Sequence, residues 1–250
     1  MKLITLNTWG GRIEKGRSLL KFIKEKSEEV DIFCFQEIYN NAKGKELTYL
    51  DDNHELFDGL SKQLNDFHNY FHPQIRDYSG LALFVRRNIS IVEFGEVFVY
   101  KSAKERDEYI NHDDDGNHPR NVQYVVLEKN GNKFVIANFH GLWTGTGKED
   151  TPERIEQSKK IAEFLSRFNY PTILAGDFNL EPQTKSIAIL EEEMKNLIKE
   201  YNIQDTRTSH YTKEVRFADY VFTKNVHIND FKVLPDEVSD HAPLYLDFDI

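Results

Sequence analysis

The chain has a single cysteine, Cys34, in 250 residues, so no intrachain disulfide is available to it. Cys34 lies in the apolar run Ile32-Phe33-Cys34-Phe35, where a buried, inert thiol is expected. No apolar run is long enough to span a bilayer, and the stretch Met1-Lys2-Leu3-Ile4-Thr5-Leu6-Asn7 is too short for a secretory signal; a cytoplasmic protein is expected. Basic residues are in deficit: 32 Lys and Arg stand against 42 Asp and Glu, a net charge of −10. That balance argues against broad, sequence-independent duplex binding, which needs a basic face, but leaves room for a local basic patch. There is no Pro-, Gly- or Ser-rich linker and no short repeat, so residues 1–250 are expected to form one domain.

What is present is a regular succession of strand and helix patterns. Lys2 to Leu6 reads as a strand ending at Asn7, and Leu19, Leu20, Phe22 and Ile23 mark a helix. Val30 to Phe35 is a buried strand running into Gln36-Glu37. Leu56, Leu60 and Leu64 imply a helix after an Asp51-Asp52-Asn53 cap region. Leu81 to Val85, Ile89 to Val99, Val122 to Glu128 and Lys133 to Asn138 are β-rich, with Asn130-Gly131 as a hairpin turn between the last two. Thr151-Pro152 starts a helix with apolar Ile155, Ile161 and Leu165. Pro171 to Ala175 is a strand, Ile187 to Tyr201 a helix, and Phe217 to Phe222, Val226 to Val233 and Leu244 to Phe248 are strands. Residues 101–118 read as a polar surface loop; its His112-Asp113-Asp114-Asp115-Gly116-Asn117-His118 lacks the downstream glutamate of a calcium loop.

Four polar stretches share a placement. Asn7, Glu37, Asp177-Phe178-Asn179 and Ser239-Asp240-His241 are expected at or just past the carboxyl ends of strands, where sites gather in open α/β sheets. Phosphoryl chemistry needs such a set. Glu37 and Asp240 can offer carboxylate oxygens, and Asn7 an amide oxygen, to a hard cation that keeps waters for the substrate to displace. Asp177 can orient or deprotonate a water, and Asn179 can donate to a phosphate oxygen. His140 and His241 can move protons or touch the phosphate, with Asp219 a candidate orienter of His241.

The ordered set Leu6-Asn7-Thr8-Trp9-Gly10, Gln36-Glu37, Ser79-Gly80, His140, Gly176-Asp177-Phe178-Asn179, Asp219-Tyr220 and Ser239-Asp240-His241 resembles the endonuclease/exonuclease/phosphatase superfamily. The resemblance implies two mixed β-sheets packed face to face with helices outside, a four-layer α/β/β/α sandwich. It also implies a magnesium-dependent hydrolase of phosphate esters, with manganese as a substitute. By the same resemblance Asn7, Glu37 and Asp240 match metal-site positions, and Asp177 and Asn179 the pair that orients water and phosphate. Asp219 and His241 match a carboxylate–histidine dyad, and Arg120 an arginine near the phosphate. His140 matches a histidine of the DNase I, sphingomyelinase and 5-phosphatase branches that is tyrosine in the abasic-site endonucleases. Whether Asp177 or His241 is the general base stays open. Nucleic acid is the leading substrate expectation, and a small-molecule or lipid-headgroup phosphoester is the alternative. A scaffold protein that kept the fold and lost catalysis is the reading from another class, and the filled polar positions speak against it.

Overall fold

The computed structural model describes residues 1–45, 49–109, 116–145 and 147–250. Strand β1 (Lys2–Asn7) is followed by two 3-10 turns (Trp9–Gly11 and Ile13–Gly16), helix α1 (Arg17–Lys26) and strand β2 (Ile32–Tyr39). Helix α2 (Leu56–Gln63) leads to β3 (Phe67–Ile75), β4 (Ser79–Arg86) and β5 (Ser90–Tyr100). Then come α3 (Ala103–Asp107), β6 (Arg120–Lys129), β7 (Asn132–His140), α4 (Pro152–Ser166) and β8 (Thr172–Asp177). The chain finishes with α5 (Lys185–Glu191), β9 (Lys195–Asn196), α6 (Leu197–Glu200), β10 (Asp219–Lys224), β11 (His227–Val233) and β12 (Leu244–Asp249).

Two six-stranded sheets result, in the orders β11-β12-β1-β2-β4-β3 and β5-β6-β7-β8-β10-β9. Both are mixed: β1 with β2 and β7 with β8 run parallel, and the other pairs run antiparallel. Strand alternation sorts the apolar side chains. Leu3, Ile32, Cys34, Leu83, Leu244 and Leu246 share a core with Phe134 and Ile136 of the second sheet. Ile4, Leu6, Phe33, Phe35 and Phe84 pack instead with Leu19, Phe22 and Ile23 of α1 and Leu56 and Leu60 of α2. On the far side, Ile161, Phe164 and Leu165 of α4 cover the second sheet. The architecture is the expected α/β/β/α sandwich. Cys34 is fully buried, and burial pushes its thiol far above the usual range.

Local expectations fare unevenly. Thr151 caps α4, its hydroxyl accepting from Arg154 N at 3.3 Å, and Asn130 and Gly131 take the positive φ values, 53° and 81°, that a tight hairpin turn demands. The helix expected over Ile187 to Tyr201 is broken. Lys195 and Asn196 pair with the edge of β10, and the Asn196 side chain accepts from Ile198 N at 3.0 Å to begin a new helix. The Asp51-Asp52-Asn53 region does not cap α2, whose N-cap is Glu55. Strand β3 carried no legible signal, being a half-exposed edge with His, Asn, Gln and Pro73 among its residues. The tract 101–118 is not loop throughout, since α3 lies within it, and residues 110–115, including most of the acidic run, fall outside the described residues. Among the described residues no helix is long and apolar enough to cross a membrane.

The feature that positions the site is a bulge in β2. Phe35 pairs with Ala82 and Ile38 with Gly80, so Gln36 and Glu37 together oppose Leu81, and Glu37 takes a φ of +55°. The space opposite belongs to Gly80: a Cβ there would lie 2.3 Å from the His72 carbonyl oxygen. Asn138 of the second sheet stitches the irregularity. Its Nδ2 lies 3.0 Å from Phe35 O, 3.2 Å from Ala82 O and 3.0 Å from Gln123 Oε1, and its Oδ1 accepts from Gln36 Nε2 at 2.7 Å. Gln123 Nε2 continues to Tyr70 O and His72 Nδ1, both at 2.9 Å. A buried amide ladder therefore bridges the sheets directly beneath Glu37 and His140. Asn138→Ala should cost about 3 kcal/mol of folding stability, because several buried polar groups lose their partner at once. Urea denaturation at neutral pH measures it, and a loss under about 1 kcal/mol would show that the ladder is not what joins the sheets.

Candidate active site

Parallel and antiparallel neighbours bring remote residues to one end of the sandwich. Asn7 ends β1 and Glu37 sits at the bulge of the adjacent parallel β2. His140 ends β7 and stands in register with Asp177 at the end of β8. Ser239, Asp240 and His241 are not at the carboxyl end of a strand, as expected, but just before β12; because β12 runs antiparallel to β1, its start lies at the same edge as Asn7. Asp219 likewise opens β10, directly opposite Asp177 in an antiparallel pair.

Asp177 is the hub. Its Oδ2 accepts from Asn7 Nδ2 at 2.9 Å and lies 3.5 Å from His241 Nε2 and 3.7 Å from His140 Nε2. Its Oδ1 accepts from the Asn179 backbone N–H at 2.8 Å. Asn7 Nδ2 also donates to Glu37 Oε1 at 3.0 Å, while Asn7 Oδ1 accepts from Trp9 N at 3.0 Å, so the amide presents its nitrogen to both carboxylates. His241 Nδ1 lies 2.9 Å from each Asp219 oxygen, which directs Nε2 toward Asp177. Thr206 Oγ1 donates to Asp219 Oδ2 at 2.9 Å. Asn179, at φ +53°, keeps its side chain near Gly141 O, 3.4 Å away. Arg120 lines the same cleft and is 1% exposed; Nη2 donates to Gly116 O, and its Nε and Nη1 have no partner among the described residues. All nine residues singled out from the sequence line, or directly support, this cleft of about 450 Å³.

Three basic residues that no sequence pattern marked complete the site, two of them, Arg207 and Lys148, lining the cleft itself. Arg207 Nη1 pairs with Asp240 Oδ2 at 3.0 Å, and its guanidinium lies 4.1 Å from the centre of the Tyr211 ring. Lys148 is buried, donates to Phe217 O at 2.6 Å and lies 5.1 Å from the same ring. Arg154, also buried, donates to Leu142 O, Glu149 O and Gly147 O and shapes the loop after β7. Arg207 and Lys148 stand in unpatterned loops, where periodicity says nothing. Arg154 lies on an expected helix, but its position there carries no sign that it turns inward.

The electrostatics follow from this crowding. Burial alone would raise Asp177, yet His241, His140, Arg207 and Lys148 hold its carboxyl well below the usual range. Burial and the charge of Arg120 lower His140 to about 3. For His241, burial and Arg207 disfavour the charged ring, but Asp219, Asp240 and Asp177 outweigh them and raise it. Glu37 is raised, chiefly by desolvation in the cleft, against its hydrogen bond from Asn7. Burial and Arg207 lower Lys148 to about 8.

The donor set suits a hard cation. Oxygen ligands dominate, and Glu37 Oε2 has no hydrogen-bond partner among the described residues, while Asp240 keeps Oδ1 clear of Arg207. Asp177, Asp219 and His241 also bring ligand atoms within 4.8 Å of one another, but the close contact there is the His241–Asp219 hydrogen bond.

The two imidazoles should titrate on opposite sides of the ordinary histidine value. In EDTA, His140 stays neutral down to about pH 3, so the folded state loses stability as pH falls from about 6.5 toward 3, because only the unfolded chain takes up that proton. His241 holds its proton above its ordinary value, so its contribution is full below about 6.5 and fades as pH rises through its folded value. Ring nitrogen NMR shifts followed against pH report both, and a His140 titrating near its ordinary value would refute the buried-ring assignment.

The fold and residue order have relatives. The model of the Endonuclease/Exonuclease/phosphatase family matches residues 4–241. A UPF0294 protein of Vibrio campbellii is 26% identical over 132 residues, covering 52% of this chain and 45% of that relative; the chain spans about half the length of the curated relatives it matches. Among solved structures, the mannosyl-6-phosphatase Bt3783 of Bacteroides thetaiotaomicron superposes with a TM-score of 0.77 at 16% identity, covering all of both chains. The human Nocturnin catalytic domain with bound sulfate superposes at 0.69 with 18% identity, over 100% of this chain and 93% of that one. At these identities the superpositions speak for the fold, while the family model spans the first strand to the last site histidine: the chain belongs to the Endonuclease/Exonuclease/phosphatase family.

Proposed function

We propose that the protein is a divalent-metal-dependent hydrolase of phosphate esters, working with Mg²⁺ and accepting Mn²⁺, and that residues 1–250 act as one catalytic domain. The observation that carries this reading is Asp177, a buried carboxylate that lines the cleft and faces two imidazoles and an asparagine amide. Glu37 and Asp240 are the residues that would hold the ion; the amide oxygen expected from Asn7 is engaged by Trp9 N, and Asn7 would join them only with its amide turned over. The ion's chemistry is Lewis-acid neutralisation of charge on the phosphoryl oxygens.

The side chains divide the remaining work. Asp177, kept ionised, orients a water or takes its proton. His241, steadied by Asp219 on Nδ1, exchanges a proton at Nε2, the atom nearest Asp177. His140, held neutral, turns Nε2 toward the same space and can hydrogen-bond a phosphate oxygen. Asn179 and Arg120, whose Nε and Nη1 have no partner among the described residues, supply donors to the other phosphoryl oxygens. A cleft of about 450 Å³ has small-molecule dimensions, and a net charge of −10 does not favour polynucleotides. Both support a compact phosphoester over the nucleic-acid substrate expected from the sequence. The sugar-phosphate specificity in the name of the Bacteroides neighbour agrees with that choice.

Turnover of p-nitrophenyl phosphate and bis(p-nitrophenyl) phosphate should vanish in EDTA and return with Mg²⁺ or Mn²⁺. A folded protein that hydrolyses nothing in a wide ester panel with either ion would instead be the catalytically silent binder. Asp177→Asn should lower kcat at least about 10²-fold with the thermal midpoint little moved, since it deletes a charge and not a core group. His241→Ala should cost a similar factor, and a loss under about tenfold would move proton transfer elsewhere.

A further inference from the structure

We propose that Arg12 forms a second anion subsite of the cleft, set to take a phosphate or carboxylate that a compact substrate carries in addition to its scissile phosphate. The proposal rests on the phosphoesterase reading above and deepens it by naming the substrate class.

The subsite grows out of the turn that follows Asn7. Trp9 N donates to Asn7 Oδ1, and Trp9, Gly10 and Gly11 all take left-handed φ values, +51°, +61° and +65°. A tryptophan in that conformation is strained, and such strain persists only where the surroundings impose it. Here the turn is pressed onto its neighbours: a Cβ on Gly10 would lie 2.8 Å from the Tyr39 ring and 3.2 Å from Asp52. The turn delivers Arg12 to the cleft wall, with its guanidinium 4.7 Å from the centre of the Trp9 ring and 4.5 Å from that of Tyr49.

Asp52 is the anchor. Its side chain is 1% exposed; Oδ1 accepts from Arg12 Nε at 3.0 Å and Oδ2 from Tyr49 N at 2.9 Å. One buried carboxylate thus places both the cation and one of its aromatic walls. Tyr39 connects this anchor to the reacting end, since its hydroxyl is burdened first by burial and then by the charges of both Asp52 and Glu37.

The way Arg12 is held distinguishes recognition from a purely structural ion pair. A guanidinium that serves only to pair with a carboxylate commonly engages it with two parallel N–H groups. Arg12 gives Asp52 only Nε, and its Nη1 and Nη2 have no partner among the described residues. With a side chain 28% exposed, those nitrogens reach solvent while the stem is locked. A planar fork fixed in direction and open at its end is the geometry that binds phosphate or carboxylate at two points.

The test is calorimetric binding in EDTA, where turnover cannot contribute, using glucose 1-phosphate, glucose 1,6-bisphosphate, glucuronic acid 1-phosphate and a tetrathymidylate. At least one of the two sugars with a second anion should bind roughly tenfold or more tightly than glucose 1-phosphate, and which one does so identifies phosphate or carboxylate as the partner. Arg12→Gln should collapse that preference to within about twofold, and Arg12→Lys should restore part of it. Tyr49→Leu, at a ring that is 61% exposed and outside the core, should weaken the preference without threatening the fold. No preference in the wild type, or one that survives Arg12→Gln, overturns the subsite. Arg12-dependent binding of the tetrathymidylate alone overturns the compact-substrate form and gives the subsite to a neighbouring phosphodiester. If the sugar preference holds while no ester is hydrolysed with Mg²⁺ or Mn²⁺, the hydrolase reading fails and the anion subsite stands.

Discussion

The structure turns on the cost of holding four carboxylates, Glu37, Asp177, Asp219 and Asp240, at one end of a protein core. Asp177 and Asp219 stand directly opposite each other in adjacent antiparallel strands, an arrangement that destabilises a sheet unless it is compensated. Each carboxylate has a compensating partner. Asp219 has the His241 ring and the Thr206 hydroxyl, Asp240 has Arg207, and Asp177 has the Asn7 amide and the Asn179 backbone N–H. Glu37 shares Asn7 with Asp177. The buried Lys148 and Arg120 add positive charge without pairing with any carboxylate. Such a set costs desolvation energy that a plain apolar core would not incur. Its retention around the cleft is understandable as preorganisation for charge that arrives with a substrate.

Rigidity beneath the site comes from the same economy of polar groups. The β2 bulge frees two carbonyls between the sheets, and the Asn138 amide satisfies both while reaching Gln36 and Gln123. Strict alternation puts Gln36 on the inter-sheet face with Ile32 and Cys34, and without the bulge that alternation would continue. Glu37 would then point with Phe33 and Phe35 into the apolar layer under the helices. A carboxylate cannot stay ionised there. The bulge turns Glu37 to the cleft, and the ladder keeps that local irregularity from spreading along the strand.

This contrast explains what could be read from the sequence. Runs that end in a polar residue, such as Lys2 to Asn7 and Pro171 to Asp177, announce both a buried strand and the side chain at its end. The order of Asn7, Glu37, Asp177 and His241 along the chain carried the fold with it. Arg207, Lys148 and Arg12 were illegible for the opposite reason. Each acts from a turn or loop, where the direction of a side chain depends on partners remote in the chain (Asp240, Phe217 and Asp52). Asp52 shows the difficulty sharply: beside Asn53 ahead of a helix it resembles a cap, and only the folded turn reveals that its oxygens face Arg12 and the backbone of Tyr49. The break after α5 was hidden likewise, because an edge strand of two residues leaves no periodic trace.

The run from Asn7 to Arg12 joins these two kinds of residue. Asn7 Oδ1 holds Trp9 N, Trp9 packs against Arg12, and Arg12 is tied to Asp52. A change of ligand at either end must therefore pass through one short, strained turn with little freedom to absorb it. Loops that carry binding groups are usually more mobile and variable than the elements they connect. In this protein the first residue of the reacting cluster and the arginine on the cleft wall are five positions apart on one rigid bend. A substrate group seated at Arg12 would be registered against Asn7, and through its amide against Glu37 and Asp177 together, by covalent geometry and two hydrogen bonds rather than by the packing of a mobile loop.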